Sequence, residues 1–525
     1  MRKTVKKLTA VGLTVTSVLG LVACGSSKGT TSQGTSENKE VTKPDTFTVM
    51  CDGTVVTETN GAEAFYKQLN EATGLDIKWT RPDHASYYDA VANAFNSDDT
   101  MPDVVLLSSD YYALYASNGF LWNMTDAWEH SETKNSGRLI STADNVLSAL
   151  MVNGEDGTKA MYGLSLYRGN GCCTYVKKAW LDKAGIDASK VKDVQMDFNT
   201  YYGYLKQMAQ TMGHYVISSP GFIHPEAPNT NYLPEFYQKA QYTFYKDTSG
   251  KYVDGFAQQE MKEALQRIQT AVNDGVIDKE SVNNSTANAR DKFYSTDPST
   301  ETGVFSYWAG TWANTLKTNL ANKGLDDELI AIKPIKELGA YTERIAPCWC
   351  ITSAAKNPEG IFKYFIDKML DGGDVQMLWT HGAKGTHWDD KAETVTVEKK
   401  EDQPKTYTEG QFHYLPGIEK PDQWQTKNHI DPILSIANFT NGYVGESLIP
   451  EVARENGGFF AENSQVAVPL PMTSELSNNI GDINTARTYV IAQVALGYMT
   501  VDEGMDYYNK TVGSLSNAVL KSLNK

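Results

Sequence analysis

Between residues 46 and 120 short apolar runs alternate with stretches in which apolar residues recur every three or four positions. TFTVMC, from Thr46 to Cys51, suits a buried strand, and GAEAFYKQLNEATG then sets Ala62, Phe65, Leu69 and Ala72 on one helical face before Gly74 stops it. LDIKW reads as a second strand, SYYDAVANAFN as a helix with Tyr88, Val91 and Phe95 on one face, and PDVVLL as a third strand. DYYALYASNG follows as a helix with Asp110 at the capping position. The order strand, helix, strand, helix, strand, helix predicts an α/β fold, its strands parallel, joined by right-handed crossovers and covered on both faces.

In open sheets of this kind ligands bind beyond the carboxyl ends of the strands. Those ends carry Asp52-Gly53-Thr54, Arg81-Pro82-Asp83-His84 and Ser108-Ser109-Asp110-Tyr111. Asp52, Asp83, Asp110 and Tyr111 are therefore candidate ligand contacts, although capping alone accounts for Asp110 and partly for Asp52. Farther along, FNTYYGYLKQMAQTMG predicts a helix beginning near Asn199, HYVISS a strand, and FAQQEMKEALQRIQTAVNDG a helix with Met261, Leu265, Ile268 and Val272 inward. GVFSYWAGTWANTLKTNL predicts a strand over Gly303–Tyr307 and a helix capped by Thr311, which puts Trp308 at the carboxyl end of a strand. An indole there can stack on the apolar face of a sugar ring, so Trp308 and Trp312 join the candidates beside the alternative of core packing.

The run from Leu69, LNEATGLDIKW, through SYYDAVANAFNSDDTMPDVVLLSSDYYALYASNGFLWNMT, then YGLSLYRGNGCCTYVKKAWLDKAGI, AKNPEGIFKYFIDKML and HGAKGTHW resembles the extracellular solute-binding proteins of bacterial ABC importers, in their sugar-associated family 1. The resemblance spans roughly residues 46 to 520. It implies a type II periplasmic-binding-protein-like fold, with two α/β lobes joined by crossing hinge strands around a ligand cleft. Lobe 1 is expected over 46–165 plus about 347–440, and lobe 2 over 166–346 plus about 441–525. Further candidate ligand contacts are Arg168 and Asn170 in the expected hinge, Trp349 on a crossing strand, His387 and Trp388 in a Gly-rich turn, and Trp424 in an irregular insertion; an arginine near a hinge is as often a structural salt bridge, and Trp424 either lines the cleft or pins its loop. Some sugar-binding relatives carry a calcium loop; the acids of DASKVKDVQMDFNT are too scattered for one.

The chain opens with MRKTVKK and an uncharged run from Leu8 to Ala23, the pattern of a secretory signal peptide over 1–23. Leu-Val-Ala before Cys24 resembles the lipobox of bacterial lipoproteins, which implies lipidation at Cys24. Residues 24–45, rich in Ser, Thr and Gly, read as a flexible tether. Cleavage would remove Arg2, Lys3, Lys6 and Lys7 and no acid, making the formal charge of −16 more negative by four. Such a chain disfavours nucleic acid as a partner.

Cys51, Cys172, Cys173, Cys348 and Cys350 lack zinc-site spacing and read as buried small residues, with no metal and no cofactor expected. No nucleophile elbow, HExxH, phosphate loop or GxGxxG occurs. The expected protein is not an enzyme: it is a monomer on the outer face of the cell membrane that captures an oligosaccharide by lobe closure and delivers it to an ABC permease. A secreted glycan hydrolase, or the same fold used for a peptide or another solute, stays open from the residues alone.

Overall fold

The first three apolar runs form β1 (Thr46–Met50), β2 (Asp76–Thr80) and β3 (Val104–Leu107), separated by α1 (Ala62–Thr73) and α2 (Tyr87–Ala94) and followed by α3 (Ser109–Ser117). Then come β4 (Gly163–Leu164), β5 (Cys172–Lys177), α4 (Phe198–Met212), α5 (Gln259–Asn273), α6 (Thr286–Phe293), β6 (Val304–Trp308), α7 (Thr311–Asn322) and β7 (Leu329–Ala331). The chain continues through β8 (Tyr341–Glu343), β9 (Cys348–Ile351), α8 (Glu451–Asn463), β10 (Ser464–Val466), α9 (Ser474–Ala495) and α10 (Val501–Leu523). The computed structural model describes residues 41–53, 62–223, 230–325, 328–389, 395–398, 404–407, 413–414, 434–440, 450–468, 470–471 and 473–525. Cys24 and Trp424 lie outside the described residues.

β2, β1 and β3 pair in parallel, with β1 between the other two, so the strand order reverses there. β9 returns antiparallel against β3 and β4 closes the far edge, giving five strands in the order β2-β1-β3-β9-β4. One core packs around this sheet and includes Val49, Phe65, Leu69, Val91, Val104, Tyr112, Phe365, Trp379 and Ile436. The second sheet is smaller and antiparallel, in the order β6-β5-β7. All six residues of β5 are buried because apolar clusters cover both its faces. Val176 joins one with Trp180, Leu265, Ile268 and Tyr508, whereas Cys173 and Tyr175 join the other with Phe293, Phe305 and Phe460.

Most local expectations hold. Met261, Leu265, Ile268 and Val272 are buried along α5, and Gly74, Gly213 and Gly275 take positive φ at helix ends. Three do not. HYVISS forms only single bridges at Ile217, because Ser218 and Ser219 turn away to bond Asp278 and Ser281. Asp110 is not a cap: Ser108 holds that position and Asp110 falls inside the first turn of α3. Likewise Gly310 is the residue before α7, and Thr311 begins the helix.

Glu235 is 1 % exposed behind β5, its Oε1 accepting from Thr174 Oγ1 at 2.8 Å and Tyr341 OH at 3.3 Å. Burial raises its carboxyl from 4.5 to about 7. Between those values the folded chain keeps a proton that the unfolded chain has released, so stability falls as pH rises through this window and levels above it. Glu235→Gln should therefore match the parent near pH 4.5 and exceed it by up to about 3 kcal/mol at pH 8, on the scale of 1.36 kcal/mol per pKa unit. Urea unfolding at both pH values checks this; a difference independent of pH contradicts it.

Candidate functional site

The carboxyl edge of the first sheet is held together by backbone bonds between its loops. Cys51 N donates to Thr80 O at 3.1 Å and Gly53 N to Pro82 O at 2.8 Å. A Cβ on Gly53 would sit 2.8 Å from that same Pro82 oxygen, so the approach needs glycine. The buried Tyr87 hydroxyl lies 2.7 Å from Leu106 O and 3.2 Å from Met50 O, tying α2 across the point where strand order reverses. Its neighbour Tyr88 turns the other way: the hydroxyl accepts from Ser108 N at 2.9 Å, and the ring stacks on Tyr111 with centroids 3.8 Å apart and planes within 5°. Asp52 Oδ2 lies 2.5 Å from Nδ1 of His84, a largely exposed imidazole. Burial pushes the Tyr88 phenol up, and the Tyr111 and Asp52 charges push the same way.

Two passes of chain leave this edge: residues 165–171 run from β4 to β5, and residues 344–347 join β8 to β9. The 434–437 segment lies against the first pass, where Tyr167 bridges Ser435 and Arg168 N donates to Leu434 O at 2.5 Å. The two passes cross at van der Waals limits. A Cβ on Gly169 would lie 1.3 Å from Arg344 O, and one on Gly171 would lie 2.0 Å from Thr342 O. Beside them Arg168 pairs with Glu343 through two of its guanidinium nitrogens, Nε to Oε1 at 3.2 Å and Nη2 to Oε2, and Ser464 Oγ donates to Oε2 at 3.2 Å. Burial raises the Glu343 carboxyl; Arg168 and Ser464 oppose the shift.

The opposing wall is the carboxyl end of β6. Trp308 is half-buried there; its carbonyl accepts from Tyr175 OH at 3.0 Å, and the Arg344 guanidinium lies 4.6 Å from its ring centroid. Asn170 Nδ2 donates to Ala309 O at 3.0 Å, and Gly310 N donates to the buried Asn456 Oδ1 at 2.6 Å, which fixes the exit turn. Trp312, also half-buried, stands edge-on to Tyr307 at 5.0 Å with Arg290 5.3 Å from its ring.

Of the candidates, Asp52, Asp83 and Tyr111 lie on the first wall, Trp308 and Trp312 on the second, and Asn170 in the hinge between them. Asp110 lies in α3 on the first side. Four others belong elsewhere. Arg168 is committed to Glu343 and only 7 % exposed, so it is a hinge clasp. Trp349 is buried in the first core, edge-on to Trp379 at 5.5 Å and Phe365 at 6.0 Å. His387 is buried and accepts from Ala383 N at Nδ1, while the Trp388 indole donates to Gly382 O, so both fasten their own turn. Sequence reasoning assigned Tyr88 to a core face and missed Arg344 and Arg290. The twin tyrosines of SYYD, facing opposite ways, were the available signal for Tyr88; none marks Arg344.

The five body cysteines are buried, and none of them is in a disulfide. Burial pushes Cys51, Cys173 and Cys348 up to about 12, which keeps them neutral and unreactive.

No family model and no curated protein matches the sequence. Solved structures do match. An HMO-binding ABC-transporter-associated solute-binding protein from Bifidobacterium longum infantis superposes with a TM-score of 0.58 at 14 % identity, covering 91 % of this chain and 98 % of its own. The alginate-binding protein AlgQ2 gives 0.57 at 16 % identity, over 93 % and 99 %. The N-glycan transport solute-binding protein of Streptococcus pneumoniae gives 0.57 at 16 %, over 91 % and 98 %. This chain has the two-lobed fold of these solute-binding proteins. In that fold the hinge and the two walls above correspond to a cleft between lobes.

Proposed function

We propose that the protein is the solute-capturing component of an ABC importer, anchored by lipid at Cys24 on the outer face of the membrane. It takes an oligosaccharide between its lobes, closes on it and presents the closed form to a permease. The observation that carries this reading is a hinge of two closely crossing segments between two walls that each hold half-exposed aromatic rings, Tyr88 and Tyr111 on one and Trp308 and Trp312 on the other. Sugars present an apolar face and a polar rim, and rings flanked by Asp52, Asp83 and Asn170 suit both. A ligand bridging two lobes favours the closed state by its extra contacts there, and no covalent step is needed.

A thermal-shift screen against mono- and oligosaccharides, peptides and amino acids tests this, because a ligand that binds the native state raises the melting temperature. An oligosaccharide that raises it and stays intact over hours supports the reading; stabilisation by a peptide alone overturns the ligand class, and cleavage of a stabilising glycan overturns the binding role. With the glycan so identified, Trp308→Ala should weaken binding by about 2 kcal/mol, roughly thirtyfold in Kd by calorimetry. Unchanged affinity would remove Trp308 from the site.

A further inference from the structure

The chain carries a formal charge of −16, yet two guanidinium groups on the second wall have no acid beside them. Arg344 lies against Trp308 and Arg290 against Trp312, both half-buried, and among the described residues neither stands within 4.0 Å of a carboxylate oxygen. The fully buried arginines are treated differently: Arg168 is matched by Glu343 and Arg487 by Asp254. A guanidinium offers five N–H donors. Arg290 uses one, to Tyr307 OH at 2.7 Å, and the Arg344 side chain donates to no described residue. A neighbouring indole makes no claim on the N–H donors of a guanidinium, and the forked edge those donors form matches the two oxygens of a carboxylate. Partial burial of an unmatched cation is unfavourable, so the site gains most from a ligand that brings the missing charge.

We infer that the solute held between the lobes is an acidic oligosaccharide, whose carboxylate is received by Arg344, with Arg290 reinforcing the positive field, while Trp308 and Trp312 meet the sugar rings. This rests on the oligosaccharide reading above and narrows it. The acids Asp52 and Asp83 stand on the opposite wall, where they can accept from sugar hydroxyls.

The test is calorimetry of the purified protein with paired neutral and acidic glycans, including maltotriose with trigalacturonate and lactose with 3′-sialyllactose. The acidic member of a pair should bind about tenfold tighter or more, the size of one charge-assisted hydrogen bond, and the advantage should shrink with added salt. Arg344→Gln should remove about tenfold of affinity for the acidic member and leave the neutral one within about threefold. Arg344→Lys, which keeps the charge without the fork, should recover part of the loss. Circular dichroism confirms that each variant is folded. Neutral glycans binding as well as acidic ones, or Arg344→Gln weakening both alike as when the arginines close on Asp52 and Asp83, overturns this inference and leaves the oligosaccharide reading standing. Binding of no glycan overturns both.

Discussion

Gly169→Ala should destabilise the protein by more than about 3 kcal/mol, among the largest effects of any single methyl group in the chain. The added Cβ would lie 1.3 Å from the Arg344 carbonyl oxygen and 2.4 Å from its carbon. A side chain could swing aside; a backbone carbonyl in a crossing segment cannot. The two passes would have to part, breaking the bond from Arg344 N to Asn170 O at 3.1 Å and displacing the Arg168–Glu343 pair beside it. Gly203→Ala is the contrasting control, because Gly203 lies on the exposed face of α4 with open space around it. There the same change should stabilise by about 0.5–1 kcal/mol. Urea unfolding of the two variants checks both signs, and a Gly169→Ala protein within about 1 kcal/mol of the parent would show that the crossing can relax.

Arg487→Ala should cost about 3–5 kcal/mol, the range for breaking a buried ion pair. Arg487 is 0 % exposed on α9, and its Nη2 donates to Asp254 Oδ1 at 2.9 Å. The other oxygen of Asp254 accepts from Tyr508 OH at 2.7 Å and Ser516 Oγ at 2.6 Å, both on α10. The guanidinium sits 5.1 Å from the Phe244 ring and 5.3 Å from that of Tyr242. One buried carboxylate thus ties both C-terminal helices to the rest of their lobe, and removing its cation leaves it uncompensated. Adding Asp254→Asn to Arg487→Met removes both charges and keeps an acceptor for the hydroxyls, so the double variant should lose less than Arg487→Ala. Denaturant unfolding would contradict the argument if the double variant were the weaker.

Much of the fold was legible along the chain because helix and strand periods are properties of the backbone. The apolar spacing of Phe65 and Leu69 in α1, or of Met261 to Val272 in α5, is set by 3.6 residues per turn, and the glycines at 74, 213 and 275 end helices because they tolerate positive φ. The carboxyl-edge loops followed from strand order, which placed Asp52 and Asp83 on a wall before any contact was known. HYVISS misled because its serines found side-chain partners in 278–281 that local propensity does not register.

The site itself divided differently. Strand periodicity placed Trp308 at the end of a strand, but it could not distinguish that tryptophan from Trp349, which also ends near the hinge. Trp349 is core because Phe365 and Trp379 close over it from later in the chain. Along the chain Arg168 stayed open between a ligand contact and a structural ion pair; the fold brought Glu343 to it from 175 positions away, and Arg344, one residue beyond that acid, was left against Trp308 instead. Which segments coil, which extend and where their ends carry polar groups follow from the order of residues, since those depend on neighbours a few residues apart. Which aromatic rings are covered and which charges are matched emerges when the chain folds, because burial and pairing are set by groups that approach in space from far along it.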